Sequence, residues 1–194
     1  MTVAQTNNPR LKAMYTDTVS SKILAEFGLS NSHQLPKIEK VVINCGIGRF
    51  LENQKLKPEI RDTVYETLQT ISGQRPITVI ARKSVSNFKV REGAPSAMMV
   101  TLRRERMWHF LDRLINLAIP RIKDFRGVKD TSFDKAGNYS LGLTEQAVWP
   151  EINMARVNFN HGMHINICFS QSSPAKSLYM LKELGMPFVR KDED

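Results

Sequence analysis

The chain has 194 residues, with 28 Lys and Arg against 19 Asp and Glu, so its formal net charge is +9. A chain of this length can bury a hydrophobic core, and this excess of positive charge favours an anionic partner such as RNA, DNA or a membrane surface. No run approaches the ~20 apolar residues of a membrane span, the start of the chain lacks the apolar stretch of a secretory signal, and the two cysteines stand far apart in sequence. These features exclude a membrane-spanning protein and a disulfide-rich secreted one, and they fit a reducing cytoplasm.

Hydrophobic periodicity predicts four helices, at 9–27, at 105–118, at 174–184 and from Pro58 up to Gly73. Five strands are predicted at 38–44, 77–81, 97–103, 138–143 and 163–169. Residues 1–8 are predicted to be disordered, residues 9–188 to form one domain, and residues 189–194 to be a charged tail.

The order of these elements predicts an α+β fold. One direct strand-to-strand connection combined with helical crossovers indicates a mostly antiparallel sheet with helices packed on one face. The other face is then open, and the strand positions Asn44, Thr101 and Arg103 point outward from it. An open sheet face with cations at its margins is typical of proteins that bind RNA.

A basic loop is predicted between the second and third strands, over residues 82–96. The stretch from Ala81 to Arg103 carries one acid, Glu92, among its cations and turn-forming residues, with Phe88 near the middle. Cations, backbone donors and one aromatic ring on a loop suit a polyanion with stackable bases. The alternative is an ordinary solvated hairpin loop.

Two motifs suggest catalytic or metal chemistry, and both are incomplete. Gly46 and Gly48 resemble the start of a dinucleotide-binding fingerprint, but its third glycine would stand where the chain has Leu51. His161 and His164 lie three residues apart without a pair of closely spaced cysteines, so core or surface roles are favoured over a metal site. We therefore expect no enzyme activity, no catalytic residue, no bound metal and no cofactor.

Four blocks of sequence resemble the large-subunit ribosomal protein L five family, which binds 5S ribosomal RNA. They are EKVVINCGIG (39–48), SGQRPITVIARKSVSNFKVREG (72–93), VTLRRERMWHFLDRLINLAIPRIKDFRG (100–127) and GNYSLGLTEQAVWPEI (137–152). The resemblance covers residues 10–188. It implies a curved antiparallel sheet with helices on its convex side, a place in the central protuberance of the large subunit, and 5S rRNA and 23S rRNA as partners in the cytoplasm.

The resemblance also implies which residues touch RNA. The positions that match the 5S rRNA-binding motifs are Asn44, Arg82, Lys83, Ser84 and Arg103. The loop tip that matches the arm reaching P-site tRNA contains Ser86, Asn87, Phe88, Lys89 and Arg91. The region around 120–137 resembles the part that forms a bridge to a protein of the small-subunit head, and neighbouring proteins of the central protuberance are further partners.

Two points stay open at this level. Phe88 either packs on a sugar or base, or pins the loop to the body of the protein. A stand-alone RNA-binding module outside the ribosome is the alternative to a ribosomal constituent, and a nucleotide-dependent enzyme using the Gly46 loop is the alternative from another class.

Overall fold

The structure is a computed structural model, and it describes residues 9–52, 55–88, 90–154, 157 and 159–189. The described residues divide into two compact units. Unit 1 comprises 9–40, 103–139 and 167–189, and unit 2 comprises 41–102 and 140–166. The predictions made for residues 1–8 and 190–194 lie outside the described residues, and the single domain at 9–188 stays a prediction.

Five strands form one sheet: β1 (Lys37–Gly46), β4 (Ile77–Ile80), β5 (Pro95–Leu102), β6 (Tyr139–Leu143) and β7 (Met163–Ser170). Their order is β4-β5-β1-β7-β6. Strand β5 pairs antiparallel with β1 on one side and with β4 on the other. A second, two-stranded sheet joins β2 (Leu51–Glu52) to β3 (Lys55–Leu56), and the sequence patterns did not predict it because strands of two residues carry no periodicity.

Alternation of side chains gives the sheet in unit 2 one buried and one open face. The buried set is apolar and consists of Val41, Ile43, Cys45, Met98, Val100, Leu102, Leu143, Met163 and Ile165. Helix α3 (Pro58–Ser72) packs against β5 and buries Val64, Leu68 and Ile71. The alternate strand positions are half-buried or exposed, so the predicted α+β fold with an open sheet is confirmed.

The first predicted helix contains a wide turn that its apolar stripe did not reveal. It consists of α1 (Arg10–Met14), a π-helical turn (Tyr15–Val19) and α2 (Ser20–Glu26). The backbone N–H and the hydroxyl of Ser20 both donate to the carbonyl of Tyr15, the latter at 2.7 Å. A hydroxyl that competes for a backbone carbonyl in this way loosens the helical ladder and favours the wider turn.

The helix predicted at 105–118 contains a wide turn and is followed by a 3-10 turn. It consists of α4 (Arg104–Arg113) and a π-helical turn (Leu114–Ala118), and the 3-10 turn is Ile119–Arg121. Pro120 lies in the last of these turns, where its fixed φ is compatible with the first residues of a helical turn and its missing N–H is not needed. The helix predicted at 105–118 thus ends at Ala118, and the separate 3-10 turn that contains Pro120 follows it.

The remaining predicted boundaries differ from those of the structure by at most two residues. Strand β1 continues through Cys45 and Gly46, because the β1–β5 ladder reaches the pair Gly46 and Ala97. Pro95 and Ser96, assigned to the loop by sequence, belong to β5 in the structure. Helix α5 (Pro174–Glu183) is capped by Ser173, whose hydroxyl oxygen accepts from the backbone N–H three residues on.

The segment between α4 and β6, in unit 1, is fixed by aromatic packing. The rings of Phe133, Tyr139 and Phe188 lie 4.6 to 6.2 Å apart, centroid to centroid. The Tyr139 hydroxyl donates to the Lys129 carbonyl at 2.9 Å, and its pKa is raised to about 12 by burial. The region around 120–137 is thus an ordered segment with an internal anchor.

Candidate nucleic-acid interface

The basic loop spans residues 81–94, and main-chain hydrogen bonds hold it as a narrow hairpin. At its base the Ala81 N–H donates to the Ala94 carbonyl at 2.8 Å, and the Gly93 N–H donates to the Ala81 carbonyl at 2.9 Å. Nearer the tip Val85 and Val90 exchange two hydrogen bonds, at 2.9 and 3.2 Å. The backbone therefore supplies most of this frame.

Two cations occupy the bend just beyond β4. Arg82 and Lys83 are exposed, and neither forms an ion pair within the described residues. The adjacent Ser84 accepts a hydrogen bond from the Glu92 N–H at 2.9 Å, which leaves its own hydroxyl hydrogen to donate outward. The three predicted rRNA-binding residues of the loop are therefore contiguous and accessible to a phosphate backbone.

The tip of the loop presents an aromatic ring to solvent. Ser86, Asn87 and Phe88 form one 3-10 turn, and Phe88 is 78% exposed. This exposure contradicts the alternative in which Phe88 pins the loop to the protein body. Arg91, on the returning side, is also exposed, while the predicted contact Lys89 lies outside the described residues.

Asn44 lies on the open face of the sheet in unit 2. It stands opposite Met99 of β5, which in turn stands opposite Ile77 of β4, so the three side chains form one row on the same face. Asn44 is half-buried, and its amide offers both a donor and acceptors. Among the described residues, the alternating open-face positions of unit 2 carry no carboxylate that would repel a phosphate.

Arg103 belongs to unit 1, unlike the other predicted rRNA contacts. It is exposed and stands at the N-cap of α4 with an extended backbone. Its side chain extends from the start of a helix, where unpaired N–H groups favour an anion. The sequence pattern predicts Arg103 at the end of a strand, but the ladder of β5 ends one residue earlier at Leu102.

The cysteine and the histidine that could serve in catalysis or metal binding are buried in the structure. Cys45 is buried, and burial raises the pKa of its thiol to about 12, which opposes formation of a reactive thiolate. His161 is buried as well, and burial lowers its pKa. Strand β1 leads into a 3-10 turn at Gly48–Phe50 and not into the helix that a dinucleotide fingerprint requires.

Across the described ranges, no group of three or more His, Cys, Asp or Glu is arranged to hold a metal ion. Nor is any helix in those ranges both long enough and apolar enough to cross a membrane.

Sequence reasoning missed two features of the surface. Arg104 has a backbone φ of +54°, a conformation that L residues rarely adopt and that no periodicity signals. Ile77 and Ile80 are each 58% exposed on the edge strand β4. The apolar run ITVI predicts a strand, but it does not show that this strand lies at the edge of the sheet.

Comparisons with known proteins agree over nearly the whole chain. Residues 31–91 match the family model described as Ribosomal protein L5, and residues 95–188 match the model of the C-terminus of the same ribosomal protein family. A large ribosomal subunit protein uL5 from a Synechocystis strain is 48% identical over 92% of this chain and 97% of its own length. The uL5 proteins of Geobacter sulfurreducens and Microcystis aeruginosa are 46% and 45% identical, each over 92% of this chain and 98% of their own length.

These relatives are structural components of the large ribosomal subunit and not enzymes. They come from bacteria, whose ribosomes are cytoplasmic, so the expected cytoplasmic location is confirmed. Identity of 45% to 48% over almost the full length of this chain and of each relative shows that the chain belongs to the uL5 family of large ribosomal subunit proteins.

Proposed function

We propose that this constituent of the large subunit binds 5S rRNA through Asn44, Arg82, Lys83, Ser84 and Arg103. The observation that carries the proposal is the exposed pair of cations at the base of the main-chain-braced loop, which no described acid neutralises. Phosphate contacts from Arg82 and Lys83 supply affinity, and the amide of Asn44 supplies a donor and acceptors for a base edge or a 2′-hydroxyl. The open sheet face, free of carboxylates at its described positions, supports the same assignment.

The tip of the loop is proposed to contact P-site tRNA. Ser86 and Asn87 offer polar groups, Phe88 offers a ring for stacking, and Lys89 and Arg91 offer charge. The 78% exposure of Phe88 supports this role, because a ring that faces solvent is available to a nucleotide. The tip and base of the loop then serve different RNAs.

The segment 120–137 is proposed to reach a protein of the small-subunit head and so to form an inter-subunit bridge. Arg121, Lys123, Arg126 and Lys129 lie on it and supply positive charge for such a contact. Its aromatic anchor around Tyr139 supports this role, since an ordered segment loses little entropy on docking. Contacts with 23S rRNA and with neighbouring proteins of the central protuberance complete the proposed partners.

A gel-shift titration of the full chain with 5S rRNA at 50 and 200 mM salt tests the proposal. If about six phosphates are neutralised, the affinity falls roughly 10³-fold between the two salt concentrations. A flat salt response contradicts RNA backbone binding. A stand-alone RNA-binding module is distinguished by sedimentation, because only a ribosomal constituent stays with large subunits after a high-salt wash.

A further inference from the structure

A second basic surface lies in unit 1, at the start of α4. It is a groove of about 630 Å³ lined by Lys12, Arg103, Arg104, Glu105, Arg106 and Trp108. We propose that this α4 groove binds the phosphate backbone of an RNA strand, with Arg104 and Arg106 as contacts additional to those already assigned. The inference rests on the proposed function in one respect, namely that the partner of the chain is RNA.

The described residues do not neutralise the cations of the α4 groove. Arg103, Arg104 and Arg106 are exposed, and within the described part of the chain none of them forms an ion pair. Elsewhere in unit 1 exposed cations do find acids, as in the pairs Arg10–Asp112 at 2.6 Å and Lys22–Glu183 at 2.5 Å. The groove therefore carries four cations against one carboxylate, Glu105, and an external anion can balance the excess positive charge.

Arg104 holds a strained backbone without an internal reason. Its φ of +54° lies in the left-handed region, where a β-carbon crowds the following carbonyl and glycine is favoured. The side chain is exposed, so its packing does not compensate for this strain. Strain retained at an exposed cation is typical of residues selected for binding.

The rest of the groove suits a phosphate chain. Trp108 is 7% exposed and lies beside Tyr15, with ring centroids 5.8 Å apart, so it gives the groove a fixed apolar floor. The N-cap side chain of α4 makes no capping hydrogen bond to a described residue, which leaves backbone N–H groups of the first turn to donate to an anion. Arginine guanidinium groups bind phosphate and carboxylate alike with two parallel hydrogen bonds, so the choice of RNA over an acidic protein segment rests on the proposed function.

The test measures affinity for 5S rRNA and for 23S rRNA separately, between 50 and 200 mM salt, for Arg104→Gly and Arg106→Ala. Each substitution is expected to make the salt slope for one RNA shallower by about 1, so that the loss of affinity over this range shrinks about fourfold. Arg104→Gly is also expected to raise Tm by roughly 2 °C, because glycine relieves the strain at φ +54°.

Two matched controls separate charge from backbone. Gln171 is exposed and has a φ of +55°, so Gln171→Gly relieves the same strain without removing a cation. Arg61 is an exposed helical arginine that pairs with Asp62 at 2.9 Å, so Arg61→Ala removes a charge that is already neutralised. Both controls are expected to bind each RNA like the wild type.

Three results overturn the inference about the α4 groove. In the first, the affinity of the wild type falls steeply with salt, and Arg104→Gly and Arg106→Ala show the same fall for both RNAs. Binding of 5S rRNA through the loop then stands, but the groove does not contribute to it. In the second, Arg104→Gly lowers Tm, which makes the arginine a structural residue. In the third, both variants lose a ribosomal protein partner but no RNA affinity, which assigns the groove to an acidic protein surface. A flat wild-type slope contradicts the proposed function itself.

Discussion

The substitution Phe88→Ala tests whether the ring of Phe88 binds nucleic acid or stabilises the fold. At 78% exposure the residue buries only about a fifth of its surface, and a phenylalanine offers roughly 200 Å² to bury. At about 25 cal/mol per Å² the truncation then lowers the free energy of unfolding by no more than ~1 kcal/mol. Stacking of one base on an aromatic ring contributes ~1–3 kcal/mol, so loss of the ring weakens P-site tRNA binding roughly 5- to 150-fold.

The assay uses large subunits assembled with each variant and measures the Kd of P-site tRNA, beside thermal unfolding and a 5S rRNA gel shift of the isolated protein. Phe88→Tyr keeps the ring and is expected to behave like the wild type. Phe88→Ala is expected to change tRNA binding alone. A fall in unfolding free energy above ~2 kcal/mol, or an equal loss of 5S affinity, would refute the separation of tip from base.

Three further outcomes are expected. Joint replacement of Arg82 and Lys83 by alanine makes the 5S salt slope shallower by about 2 with unchanged Tm; an unchanged slope counts against phosphate contacts there. Burial lowers the pKa of His161, so the folded state binds fewer protons and stability is lost as pH falls below about 6.5. Denaturant unfolding at about pH 7 and about pH 5 checks this, and His161→Gln is expected to reduce the difference. Gly137→Ala places a β-carbon 2.8 Å from a serine hydroxyl of α5 and 2.9 Å from backbone, whereas Gly28→Ala meets nothing within 4 Å. Both glycines have positive φ, so the first variant is expected to lose ~1–3 kcal/mol more stability than the second in chemical denaturation; equal losses would exclude the clash.

The sequence predicted every strand of the main sheet because alternation and apolar runs are local signals. Ile165 and Ile167 of the predicted strand 163–169 are fully buried two residues apart, and the cap at Gly73 is left-handed as a glycine after a helix suggests. The π-helical turns were not predicted, since the apolar spacing around Val19 and Leu114 is compatible with an unbroken α-helix. Hydrophobic periodicity does not show which backbone carbonyl a hydroxyl such as that of Ser20 will bond.

The candidate site was predicted unevenly for the same reason. Positive charge around Arg82 is visible in the sequence, and its exposure agrees with that prediction. The left-handed backbone at Arg104 and its grouping with Lys12 depend on how distant segments meet in unit 1, which residue patterns do not report. The assignment of Asn44 and the loop residues to individual RNAs came from family resemblance, and it stays a prediction.

In the basic loop, the hydrogen bonds that join Val85 to Val90 and Ala81 to Ala94 are formed by backbone amide and carbonyl groups alone. The shape of this hairpin therefore depends little on most of its side chains, so substitutions can change what it binds without unfolding it. A preformed hairpin also loses less conformational entropy on binding than a flexible loop would. Such a preformed scaffold suits the proposed contact with tRNA, a ligand that is exchanged at every round of translation.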